Sequence, residues 1–256
     1  MRNLKYSFSA VFIAFFAGCF WGHSVNDKEV GLDEEDGGLS TSRDVTILPP
    51  EITFPCVDDF DDVYAAQATN EDALGAVIAC QVDHEADLSE VSARLMDADV
   101  SGVEVKAGYR AYRIAYRTNR DAQTTGTGTG RLYLPDLPGP RPVVVVAHGT
   151  AGLADRCAPS RYPPAVSSDV LAMPWVASGF VTVLPDYAGL GNPGVQGYGN
   201  RPDTTFSIVD AARVAVAVRN TSPEFVVVGH SQGGGASLST QALAGNYGSP
   251  DVKLIA

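Results

Sequence analysis

Residues 225–235 read Phe-Val-Val-Val-Gly-His-Ser-Gln-Gly-Gly-Gly. Three valines behind a phenylalanine offer no polar side chain to water. Such a run fits a strand buried on both faces, as in the middle of a parallel sheet covered by helices. Gly229-His230-Ser231-Gln232-Gly233 follows without a linker, and Gly234 to Ala244 reads as a helix. The spacing predicts a sharp strand–turn–helix with Ser231 at its apex in a strained backbone conformation. Gly229 and Gly233 omit side chains where strand and helix must approach each other. The helix start would aim its free N–H groups at the serine. Ser231 is therefore the candidate nucleophile, and the backbone N–H of Gln232 a candidate oxyanion donor.

Upstream, Val143 to Val146 forms a second β-branched run inside a strand predicted over Pro142–Ala147. It opens into His148-Gly149-Thr150-Ala151-Gly152. The second oxyanion donor of such a site comes from a loop after an earlier strand, which makes Thr150 N–H the expected partner, with Ala151 next. Around these two strands the pattern alternates. Strands are predicted over Tyr112–Thr118, Gly130–Leu134 and Phe180–Leu184, and helices over Asp87–Met96, Ser168–Ser178 and Ile208–Arg219. That alternation points to an α/β chain with a doubly wound, mostly parallel sheet. Thr124 to Thr129 reads as a loop between strands; it has Gly-x-Gly spacing but opens no helix, which argues against a nucleotide site. Val252 to Ala256 reads as the opening of another central strand, so the sheet is expected to be incomplete at its C-terminal side.

A serine hydroxyl needs a general base, and in this arrangement the acid and the histidine follow the serine in the chain. After Ser231 there is no histidine, and Asp251 is the only acid. Asp251 precedes a predicted strand, a poor position for a triad carboxylate. His148 and His230 fall in turns that shape the site, and His84 reads as a surface or structural residue.

The formal charge of −12 is concentrated: from Asp27 to Asp62 there are twelve carboxylates against Lys28 and Arg43. Clustered cations are absent, which argues against a nucleic-acid partner. The acidic residues read as a solvated linker over 24–50, and the aspartates at 58, 59, 61 and 62 lack the spacing of a calcium loop. Ahead of the linker, Arg2 and Lys5 precede an apolar stretch from Ser7 to Gly18, the form of an export signal over 1–23. Phe16-Ala17-Gly18-Cys19 resembles a bacterial lipobox, with Phe16 where leucine is usual. Cys19 is thus a candidate for lipidation and membrane anchoring, and the protein is expected to be secreted or held at the cell envelope. Cys56 and Cys80 are close enough in sequence to form a disulfide, which leaves Cys157 free or paired elsewhere.

Four motifs together, Ala147-His148-Gly149-Thr150, Cys157-Ala158-Pro159-Ser160, Pro185-Asp186-Tyr187-Ala188-Gly189-Leu190-Gly191 and Gly229-His230-Ser231-Gln232-Gly233, resemble the secretory lipase family of α/β-hydrolases. The resemblance runs from about Tyr112 to the end and implies an α/β-hydrolase domain over 51–256, C-terminally truncated. It implies a carboxylic ester or triacylglycerol hydrolase acting in lipid catabolism without cofactor or metal. It places Asp186 in a structural turn beside the site, with Gly229, Gly233, His148 and Gly149 shaping the elbow and loop. It also implies a lid, the triad Asp and His, and a partner for Cys157, all in a part absent from these residues. The rival readings are a surface-anchored binding module that keeps the fold, and a peptidase or acyltransferase built on it.

Overall fold

The computed structural model describes residues 48–163, 169–247 and 251–255. The expected export signal with Cys19, and nearly all of the acidic linker, lie outside them. The described elements are α1 (Phe60–Ala65), β1 (Val77–Ala86), α2 (Leu88–Asp97), β2 (Tyr109–Asn119), β3 (Thr125–Pro135), β4 (Arg141–Ala147), α3 (Asp169–Ala177), β5 (Val181–Pro185), α4 (Arg201–Val216), β6 (Thr221–Gly229), α5 (Gln232–Tyr247) and β7 (Lys253–Leu254). The strands make one sheet in the order β1-β2-β3-β5-β4-β6-β7. Its first half is an antiparallel meander, β1 to β2 to β3, with β3 also antiparallel to β5. From β5 through β4 and β6 to β7 every pairing is parallel.

The valines of β4 divide between two cores. Val143 and Val145 join Ile208, Ala211 and Ala215 of α4 and Ala236 of α5 on one face. Val144 and Val146 join Ala172, Met173 and Val176 of α3, with Val91 and Leu95 of α2, on the other. That two-sided burial is why the strand carries no alternation. β6 departs from the expectation: Phe225 is buried, but Val226, Val227 and Val228 are only half-buried. Val226 and Val228 point to the α3 side, where α3 lies over β3–β5 and, among the described residues, nothing fully covers β6.

Several predicted boundaries also move. The Thr124–Thr129 stretch is not a loop but the start of β3. Its glycines make room for neighbours: a Cβ at Gly128 would sit 2.4 Å from the Tyr116 ring, and one at Gly130 would sit 2.6 Å from the Leu184 carbonyl. Helix α4 begins at Arg201 rather than Ile208, because the Asn200 side chain accepts the Asp203 N–H and proline occupies its first turn. Both devices favour a helix start and carry no hydrophobic signal.

The aspartates near residue 60 have structural uses. Asp59 caps α1 by accepting the N–H groups of Asp61 and Asp62, and Asp58 accepts the Cys80 N–H at 2.8 Å. Among the described residues no group of three or more metal-ligating side chains is assembled. Cys56 and Cys80 form a disulfide, S–S 2.02 Å, which ties the α1 segment to β1, and Cys157 has no cysteine partner among the described residues.

Below the α2–α3 side lies a buried ionic network. The Arg131 side chain is fully buried and pairs with Asp83 (2.6 Å) and with Asp169. Its Nη2 also donates to the carbonyls of Ser160 (3.0 Å) and Tyr162 (2.8 Å). Asp83 pairs in addition with Arg113 and His84. Burial alone would lower the Arg131 pKa, but Asp169 and Asp83 outweigh it, so the guanidinium stays charged. Burial pushes the Asp169 carboxyl up to about 6 against the pull of Arg131.

Removing one member of such a network strands a buried charge. Asp83→Asn is expected to cost about 3–5 kcal/mol at pH 7. Burial would raise the Asp83 carboxyl, yet the His84 hydrogen bond and the charges of Arg131 and Arg113 hold it below the ordinary value. A lowered folded-state pKa contributes stability above the unfolded value of about 3.9. That contribution is lost as pH falls toward the folded value. Urea unfolding should show the gap between wild type and Asp83→Asn narrowing from pH 7 to pH 3. A gap of the same size at both pH values would contradict this assignment.

Candidate active site

Registers bring the site together. Ala147 at the end of β4 lies opposite Gly229 at the end of β6, and Val145 lies opposite Val183 in β5. The three strands therefore release their loops at one level, on the carboxyl edge of the parallel half. The chain leaves β4 toward β5 on one side and later returns to β6 on the other, so the site sits at a topological switch point. Open α/β sheets bind ligands in the crevice at such a point.

Ser231 stands there with φ +55°, in the left-handed region, and it is exposed. A non-glycine residue held in this way stores strain of about 1–3 kcal/mol, which the surroundings must over-determine. They do so through two glycines. A Cβ at Gly229 would lie 2.1 Å from the Gly233 carbonyl oxygen, and a Cβ at Gly233 only 1.9 Å from that of Ala147. The His230 N–H donates to Ala147 O (3.3 Å), and the Gly233 N–H to His230 O (2.8 Å). Helix α5 starts at Gln232, next to the serine; the Gly233 N–H is taken by His230 O and the Gly235 N–H by Ser231 O (3.3 Å).

Across from Ser231 is the loop after β4. Gly149 packs so closely that a Cβ there would be 3.4 Å from Ser231 Cβ and 3.2 Å from His230 Nδ1. Thr150 is exposed, and its Oγ1 is 3.0 Å from the Tyr198 hydroxyl, which comes from the loop between β5 and α4. His148 is fully buried. Its Nδ1 faces the Gly149 carbonyl, its Nε2 faces the Asp186 carbonyl at 3.2 Å, and its ring lies on Tyr187 with centroids 4.5 Å apart. Neither ring nitrogen is turned toward Ser231, and both face backbone carbonyls of the site's loops. His84 belongs to the ionic network and bonds Asp83 and Tyr109. Asp251 pairs with Arg213 of α4 at 3.1 Å. Among the described residues, no histidine is hydrogen-bonded to Ser231.

Asp186 is buried, and its carboxylate is consumed by structure. Oδ1 accepts the Ser160 N–H (2.9 Å), while Oδ2 accepts Thr129 Oγ1 (2.8 Å) and Ser160 Oγ. The turn it opens has three left-handed residues, Tyr187, Gly189 and Gly191. A Cβ at Gly191 would meet Ala158 at 2.6 Å, so the Cys157–Ser160 and Pro185–Gly191 motifs pack directly on each other. Tyr198 and Tyr64, both in contact with these parts, carry no signal in the sequence. Tyr198 lies in an irregular loop, and Tyr64 in a six-residue helix too short to show a period.

No protein-family model matches the chain, and no curated protein matches it. Solved structures do. The esterase LipA from Xanthomonas oryzae, described as rice cell wall degrading, superposes with a TM-score of 0.57 at 22% identity, covering 72% of this chain and 49% of that one. A putative hydrolase from Legionella pneumophila gives 0.59 at 20% identity, over 70% and 50% of the two chains. Candida antarctica lipase A in its closed state gives 0.58 at 17% identity, over 77% and 44%. The chain thus spans about half the length of the structures it matches, and its fold is that of the α/β-hydrolases.

The four glycines of the elbow and helix start separate into two kinds. Nothing lies within 4 Å of a Cβ at Gly235, whereas Gly233 is in backbone contact. Gly235→Ala should raise stability by about 0.5–1 kcal/mol through helix propensity. Gly233→Ala should lower it by several times that amount and destroy the turn. Thermal unfolding of both variants is the check, and similar melting temperatures would contradict the contact described.

Proposed function

We propose that this α/β-hydrolase-fold chain is the nucleophile-bearing part of a serine carboxylic ester hydrolase of the lipase or esterase kind. The observation that carries the reading is Ser231 at φ +55°, exposed at the switch point between the start of α5 and the His148–Thr150 loop. A residue is held in that conformation, against its own preference, where the geometry serves a purpose. The names of the superposed proteins, esterase, hydrolase and lipase, agree with the four sequence motifs in direction.

In the proposed reaction Ser231 Oγ attacks the ester carbonyl carbon and gives its proton to a general base. The base, with the acid that orients it, comes from outside the described residues. The carbonyl oxygen becomes an oxyanion held by the N–H groups of Gln232 and Thr150, each such donor contributing about 3–4 kcal/mol. Collapse of the tetrahedral intermediate releases the alcohol and leaves an acyl group on Ser231. Water, activated by the same base, then releases the acid. No step needs a cofactor. The substrate is an ester or lipid, and the stretch over 1–23 that reads as an export signal, with Cys19 as a lipidation candidate, is the sequence support for a secreted or envelope-anchored enzyme. The Cys56–Cys80 disulfide supports the same compartment, since such bonds persist where the surroundings are oxidising.

One observation favours a second reading, a binding module of the same fold: no described histidine reaches Ser231. A fluorophosphonate probe separates the two, because only an activated serine reacts. The intact protein should be labelled at Ser231 and should hydrolyse short-chain p-nitrophenyl esters. Ser231→Ala should abolish labelling and reduce turnover by a factor on the order of 10⁶. Wild-type turnover in that variant, or an unlabelled wild type, would favour the binding module.

A further inference from the structure

Outside the reaction centre, a path of hydrogen bonds joins helix α1 to the loop that carries Thr150. Its first link is between the Tyr64 hydroxyl and Ser160 Oγ, 2.7 Å apart and buried. Ser160 Oγ in turn bonds Asp186 Oδ2. A carboxylate has only acceptors to offer, so the Ser160 proton is committed to Asp186 and Tyr64 is the donor to Ser160. Burial pushes the Tyr64 hydroxyl well above its ordinary pKa, which keeps that proton in place. From Asp186 the path continues through its backbone carbonyl, which faces His148 Nε2 at 3.2 Å, and through the next residue, whose hydroxyl (Tyr187) donates to the His148 carbonyl at 3.0 Å. His148 is two residues from Thr150.

The Ser160 turn does not need its hydroxyl to stay where it is. Its N–H already holds Asp186, and its carbonyl accepts Arg113 Nε (2.9 Å) and Arg131 Nη2 (3.0 Å). What the hydroxyl adds is a link between Asp186 and Tyr64. Tyr64 is itself fixed, with the Arg161 guanidinium 4.1 Å above its ring and the Cys56–Cys80 disulfide anchoring its segment to β1. We infer that Tyr64 and Ser160 are positioning residues for ester hydrolysis, holding the His148–Thr150 loop so that its N–H meets the oxyanion. The inference rests on the hydrolase reading above. Its physical ground is that a preorganised donor acts only while it is held, and misplacement by about 1 Å can cost on the order of a hundredfold in rate.

The test compares wild type, Tyr64→Phe and Ser160→Ala in the intact protein, with active sites titrated by the fluorophosphonate and p-nitrophenyl butyrate as substrate. For each variant kcat per titrated site should fall roughly three- to thirtyfold, with KM unchanged. Affinity for a trifluoromethyl ketone, whose serine adduct carries the oxyanion, should weaken by the same factor. A purely structural role would lower the melting temperature and leave kcat per site and ketone affinity at wild-type values. That result in the folded variants, or in Ser160→Ala alone should Tyr64→Phe fail to fold, overturns the inference while the hydrolase reading stands. A wild type that is neither labelled nor active overturns both.

Discussion

Everything at the active edge depends on one backbone contact, that of Gly233 in the first turn of α5 with the carbonyl of Ala147 at the end of β4. It lets the helix start directly beneath the neighbouring strand, without a connecting loop. That closeness leaves the residue between them only a left-handed conformation. The parallel register of β4 and β6 supplies the other half of the constraint, because Ala147 and Gly229 end at the same level. A side chain at either glycine would push the helix away by more than an ångström, and Ser231 could then relax. The sheet fixes the strands, the glycines fix the helix, and the serine takes the conformation that remains.

The second organising element is the buried cation Arg131. A guanidinium with no solvent access is costly unless every neighbouring charge and dipole is arranged for it. Here Asp83 comes from β1, Asp169 from α3, and two carbonyls from the segment at Ser160 and Tyr162. The network therefore pins residues 148–163, which follow β4 and contain only two short 3-10 turns. That stretch also carries the Ser160 turn, which holds Asp186. Structure that a motif search would assign to loops is thus placed by charge.

Much of the architecture was legible because burial leaves a pattern. Val143 to Val146 announced a strand with two covered faces, and its valines do divide between two cores. The elbow was legible for a different reason, since few local geometries demand glycine on both sides of a serine at that spacing. The failures share a cause as well. The Thr-Gly repeat at the start of β3 looked like a loop, because the reason for its glycines is a tyrosine ring and a carbonyl from elsewhere in the sheet. The start of α4 was missed because capping by Asn200 and a first-turn proline leave no hydrophobic period. The half-exposure of Val226 and Val228 could not be read either: a strand records which side chains it offers, and not what covers them. Tyr64 and Tyr198 were invisible, because their importance lies wholly in contacts made across the fold.

The repeat in β3 carries one more implication. Thr125-Gly-Thr-Gly-Thr-Gly130 is periodic in steps of two, the same step by which strands can slide past each other with every side chain kept on its proper face. A two-residue slip of β3 against β2 would set Tyr116 opposite another glycine and keep threonines facing where threonines face now. The repeat is therefore silent about its own alignment. The choice is made at the hairpin end, where Asp121 accepts the N–H groups of Gln123 and Thr124 and Arg120 bonds the Thr124 carbonyl. It is made again just past the repeat, where Arg131 of β3 pairs with Asp83 of β1 and Asp169 of α3. A tight turn and one buried guanidinium supply the information that six repetitive residues withhold.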